Sequence, residues 1–171
     1  MRVNGLVYEA FAAWHGRRER RDLYHSALIL TTDRTEYTVE MTPIRAADGP
    51  VRGVVAEGPV GSALLRRFKL FRYEVRVWAS GVIPDIDEAV DSPQLLSEEL
   101  AVAQRMLDLA PQIPPLVWGR DELHTGEMWN SNSLISWLVV RSGLDVDAVR
   151  MPANGRAPGW DAGIVVARRQ A

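Results

Sequence analysis

Cysteine is missing from this chain of 171 residues. Its absence removes disulfides, thiolate catalysis and cysteine-ligated zinc or iron–sulfur sites together. Lysine is nearly missing: Lys69 stands alone among basic residues that are otherwise arginines, and the formal net charge of −2 exerts no global pull on nucleic acid or anionic membrane. No uncharged apolar run approaches the roughly 20 residues that span a bilayer. The N-terminal segment carries Glu9 inside its short apolar stretch and lacks a small-residue cleavage pattern, so no secretion signal is expected. A soluble, cytoplasmic protein with neither nucleic acid nor membrane as partner is therefore the expectation.

Chemical signatures are equally sparse. His15, His25 and His124 have no metal-ligand spacing such as HExxH, and no metal site is expected. Phosphate-cradling glycine loops are absent, so no cofactor is expected either. No GxSxG elbow announces a serine hydrolase.

What is present is a core. With 47% apolar residues and six tryptophans, the chain can bury one substantial interior, and residues 1–171 read as a single domain. The clearest stretch is GEMWNSNSLISWLVVRSG, from Gly126 to Gly143. Leu134, Ile135, Trp137, Leu138, Val139 and Val140 cover most of a helix circumference, which predicts a helix buried on nearly all sides. Asn130 or Ser131 can cap its start, and Gly143 supplies a left-handed end.

Around that helix the spacing predicts an α+β domain, an antiparallel sheet packed on the central helix. Residues 24–32 and 36–44 read as a hairpin turning at Asp33 and Arg34, with Thr32 paired to Thr35. Continued to the strand ends, that register puts His25 opposite Thr42 and Ala27 opposite Glu40, so His25 and Glu40 share a face. A short strand is expected at residues 53–57, a short Ser62-capped helix through Phe68, and a strand with one wet face at residues 72–79. Ser92 and Pro93 should open an amphipathic helix running to Ala110, and residues 163–167 a final strand. Residues 7–14 suit a short helix. The Arg17-Arg18-Glu19-Arg20-Arg21 run reads as solvated, and Asp85, Asp87, Glu88 and Asp91 as a solvated lead-in without the loop of a calcium site.

His25 at a strand start, followed about a hundred residues later by Asn130-Ser131-Asn132-Ser133-Leu134 at the mouth of a buried helix, resembles the circularly permuted papain-like proteins. That group includes lecithin retinol acyltransferase-like enzymes and relatives of cell-wall amidases. The resemblance implies that His25 is the base and that Ser131 occupies the position of the nucleophilic cysteine. The departure is chemical: a thiolate is accessible near neutral pH, whereas an alcohol is many units from ionising, and a helix dipole contributes only about one. Ser131 could attack only with His25 in hydrogen-bond reach, Glu40 or another acceptor orienting the imidazole, and first-turn amides or the Asn130 side chain as oxyanion donors.

Three readings follow. The first is a papain-like pseudoenzyme that binds a small ligand, peptide or protein with Asn130 and Asn132, between walls formed by Trp129 and Trp160. The second is a serine-dependent hydrolase or acyltransferase acting on an amide or ester through Ser131 and His25, with His124 as a rival base. The third is an unrelated α+β interaction or oligomerisation domain. The bland account of the cluster is capping, for which Asn and Ser suffice.

Overall fold

Alternating apolar side chains build the sheet. The computed structural model describes residues 22–44, 53–81, 83, 93–152 and 155–171. The expected helix at residues 7–14, the arginine run and the acidic cluster lie outside them. Strands β2 (Leu28–Thr31), β3 (Glu36–Pro43), β4 (Val54–Pro59) and β5 (Arg72–Ala79) form an antiparallel sheet in the order β2-β3-β5-β4. A second, two-stranded parallel sheet joins β1 (Asp22–Leu23) to β6 (Gly155–Arg156).

The hairpin register is the one its turn dictates, with Leu28 facing Val39 and Thr31 facing Glu36. The strand is shorter than expected: β2 starts at Leu28, so His25 stands outside the ladder. Leu28, Leu30, Val39, Met41, Tyr73 and Val75 are buried on the face that meets the helices.

The opposite face departs from the expectation of a wet surface. Glu40 and Arg76 face each other across β3 and β5 and are only 7% and 8% exposed, with Glu74 buried beside them. Arg76 Nη2 lies 3.0 Å from Glu74 and Nη1 3.7 Å from Glu40. Alternation marks which side chains share a face and does not reveal what covers it.

Helix α1 (Leu100–Leu109) starts well after Ser92 and Pro93. The intervening segment is held otherwise: the Gln94 side chain makes two hydrogen bonds with the backbone of Arg150, at 2.6 and 3.0 Å. Helix α2 (Ser131–Arg141) is the expected central helix, with Leu134, Ile135, Trp137, Leu138 and Val139 in the core and Gly143 at φ 87° after its end.

The last element is helix α3 (Trp160–Arg169) rather than a strand. Its buried residues Ala162, Gly163, Val166 and Ala167 recur with helical spacing, which the short apolar run around Ile164 and Val165 disguises. Gly163 lets α3 press onto α2, since a Cβ there would collide with Ser136 Oγ and the Ser133 carbonyl. No helix among the described residues is long and apolar enough to cross a membrane.

Candidate functional site

The polar cluster does more than cap one helix. Asn130 is the N-cap of α2: its Oδ1 accepts from Asn132 N–H at 2.9 Å, and Ser133 Oγ accepts from Asn130 N–H at 3.0 Å. This reciprocal arrangement satisfies amides that a helix start leaves unpaired. The same side chains then reach across to the turn before α3. Asn130 Nδ2 donates to the Pro158 carbonyl at 2.7 Å, and Ser133 Oγ donates to that of Gly159 at 2.7 Å. One turn further along, Ser136 Oγ donates to the Trp160 carbonyl, also at 2.7 Å.

Asn132 binds a third segment. Its Oδ1 accepts from Ser26 N–H at 2.8 Å, while its Nδ2 donates to the Tyr24 carbonyl at 3.0 Å and to the Pro158 carbonyl at 2.9 Å. A side-chain amide thus takes the place of a neighbouring strand at the two residues flanking His25. Tyr24 is held from another side, donating its N–H to the Arg156 carbonyl at 2.9 Å and laying its ring on Gly155, where any Cβ would collide with it.

The consequence of these restraints is a short contact. Ser131 Oγ and His25 Nδ1 stand 2.6 Å apart although they are 106 residues apart in sequence. The distance suits a strong O–H···N bond. For the hydroxyl to donate, the ring proton must sit on Nε2. Ser131 is also the first residue of α2, where the helix dipole favours negative charge.

Among the first-turn amides, Asn132 N–H goes to Asn130 Oδ1, and Ser133 and Leu134 N–H go to the Asn130 carbonyl. Ser131 N–H has no bond among the described residues and is the available oxyanion donor. One N–H of the Asn130 amide is spent on the Pro158 carbonyl.

The remaining expected site residues fall differently. Glu40 lies in the buried charge cluster with Arg76 for an ion-pair neighbour. Burial pushes its carboxyl above the ordinary value, and Arg76 opposes that rise. Asn132 holds the backbone on either side of His25, through Ser26 N–H and the Tyr24 carbonyl. Asn130 and Asn132, expected as ligand contacts, direct their side-chain bonds to Pro158, Tyr24, Ser26 and the start of α2. Trp129 is 2% exposed and packs into the core. Trp160 begins α3 and is half-buried against that core. His124 is exposed at φ 50° in a turn capped by Asp121, and His25 is the ring on Ser131.

Supporting residues that the sequence did not single out come from the C-terminal turn. Glu127 Oε2 accepts from Gly159 N–H at 2.7 Å, and its Oε1 pairs with Arg156 at 2.9 Å. Gly159 adopts φ 87° and passes so close to Asn130 and the Met128 carbonyl that a side chain would clash. The Gly and Pro in residues 152–159 were the available signal, because a backbone that must approach another closely needs them. No group of metal-ligating side chains is found among the described residues. No family model matches this sequence, and neither a curated protein nor a solved structure matches it.

Proposed function

We propose that this chain is a serine-dependent hydrolase or acyltransferase acting on an amide or ester carbonyl, on a scaffold related to the permuted papain-like domains. The observation that carries the reading is the 2.6 Å contact between Ser131 Oγ and His25 Nδ1 at the start of a buried helix. His25 takes the hydroxyl proton as Ser131 Oγ attacks the carbonyl carbon. The oxygen of the tetrahedral intermediate faces Ser131 N–H and the positive end of α2. The imidazolium returns the proton to the leaving amine or alcohol, and water or a second nucleophile then releases the acyl group by the same route. Placement in the cytoplasm, with a small molecule, peptide or protein as substrate and no nucleic acid, completes the proposal.

A second reading has its own observation. Ser131 is only 4% exposed, and the side chains of Asn130 and Asn132 bond inside the fold. Both facts favour a cysteine-less descendant of such enzymes in which the Ser–His bond is a brace and the surface binds a ligand without turnover. A fluorophosphonate probe followed by intact-mass measurement separates the two. Stoichiometric labelling that disappears in Ser131→Ala and in His25→Ala, with both variants folded by circular dichroism, supports the nucleophile. Absence of labelling in the folded wild-type chain rejects it in favour of the brace.

A further inference from the structure

The excursion between β4 and β5 is built unlike any other part of the described surface. Two short 3-10 turns, Ala63–Arg67 and Lys69–Phe71, carry no buried residue. Leu64 is 86% and Leu70 62% exposed, and Phe68 and Phe71 are exposed beside them. Three exposed cations, Arg66, Arg67 and Lys69, interleave with these apolar side chains. The Arg67 guanidinium lies 4.9 Å over the Phe68 ring, so charge and aromatic face are presented together. No acidic residue occurs between Glu57 and Glu74, in a chain whose net charge is −2.

The base of this excursion is firm. Ser62 Oγ accepts from Leu64 N–H at 3.3 Å, Gly61 N–H donates to the Trp118 carbonyl at 2.9 Å, and Arg120 Nε donates to the Gly61 carbonyl at 2.8 Å. Bridges from Val60 to Trp118 and from Trp118 to Trp129 tie it to the residue that precedes the Asn130 cap. Exposed leucines and phenylalanines on an anchored turn carry a hydration cost that burial in a partner would relieve.

We propose that residues 62–71 are a docking surface for an anionic lipid bilayer, with the apolar side chains entering the headgroup region while the three cations meet lipid phosphates. Charge and chemistry select this occupant. Apolar and cationic side chains interleaved residue by residue match a surface where anionic headgroups overlie hydrocarbon. The core of a protein interface is depleted in charge, above all in lysine, and the chain's only lysine sits in the middle of this patch. The inference stands independently of the chemistry at Ser131. It also differs from the expectation of no membrane partner, which rested on the lack of a spanning run and on net charge, neither of which reports a local patch.

The test is co-sedimentation of the full chain with vesicles of phosphatidylcholine alone and of an equimolar phosphatidylcholine–phosphatidylglycerol mixture. Binding should favour the anionic vesicles and weaken with added salt. Arg66→Gln, Arg67→Gln and Lys69→Gln together should lower partition by about fivefold per charge removed. Leu64→Ser with Leu70→Ser should reduce it while leaving the far-ultraviolet circular dichroism unchanged, because both side chains are exposed. Equal partition to both vesicle types at low salt, no partition, or binding that both variants retain overturns the proposal. So does a dimer in light scattering that the leucine variant dissolves while wild-type chain ignores vesicles, which would assign the patch to a second copy of the chain.

Discussion

Replacing Ser131 by cysteine tests the electrostatics of the site with a single reporter, because the chain has no other thiol. A free cysteine thiol titrates near 8.5. The start of α2 lowers that by about one unit, taking a dipole contribution of roughly 1 kcal/mol. The His25 imidazolium, at about 3.5 Å from sulfur and an effective dielectric constant near 20, contributes a further 4–5 kcal/mol, or roughly three units. Burial works the other way: residue 131 is 4% exposed, and desolvation of a thiolate offsets half of that gain, by roughly two units. The net expectation for Ser131→Cys is a thiol titrating about two units below its free value, near pH 6.5.

Thiolate absorbance followed across pH gives this directly and does not depend on reagent access. Iodoacetamide alkylation read by mass spectrometry then reports whether a small molecule can reach the group. Adding His25→Ala should return the titration to 8.5 or above, since only burial would remain to oppose the dipole. A midpoint at or above 8.5 with His25 intact would refute the view that the ring and the helix start act on this atom.

Two further outcomes are expected. Asn132→Ala removes three hydrogen bonds and should cost about 2–4 kcal/mol in a denaturant titration; Asn132→Asp should cost at least as much, because a carboxylate would face the Tyr24 and Pro158 carbonyls. A variant as stable as wild type would mean that the clamp around His25 holds nothing. For Glu40, burial raises the folded-state value above the ordinary 4.5, so the folded state retains its proton to higher pH than the unfolded chain. Its contribution to stability is therefore most favourable below the unfolded value and declines as pH rises through the folded one. Glu40→Gln should flatten that decline relative to wild type, and two parallel stability–pH curves would count against the assignment.

How much of this was readable in advance depended on the range of each interaction. The hairpin register followed from a two-residue turn, and α2 followed from an uninterrupted helical apolar pattern with caps at both ends, so both were legible. His25 and Ser131 could be named together only through the resemblance to the permuted papain-like proteins, since by type alone they read as a lone histidine and a helix cap. That they touch depends on Asn132 engaging Tyr24 and Ser26, a side-chain-to-backbone contact that leaves no periodic trace. Asn130 and Asn132 have the same composition whether they face a ligand or the turn at Pro158, and their inward orientation became visible only in three dimensions. The misread strand at residues 163–167 has a similar cause: with Gly163 at the helix contact, its apolar run is too short to separate a period of 2 from one of 3.6.

The Asn132 carboxamide joins one segment near the start of the described chain to another near its end, since it bonds Tyr24 at a separation of 108 residues and Pro158 at 26. Closing such a loop is entropically unfavourable until the elements between are in place. The clamp on His25, and with it the Ser131–His25 contact, therefore depends on the sheet and α2 being in place between those two segments.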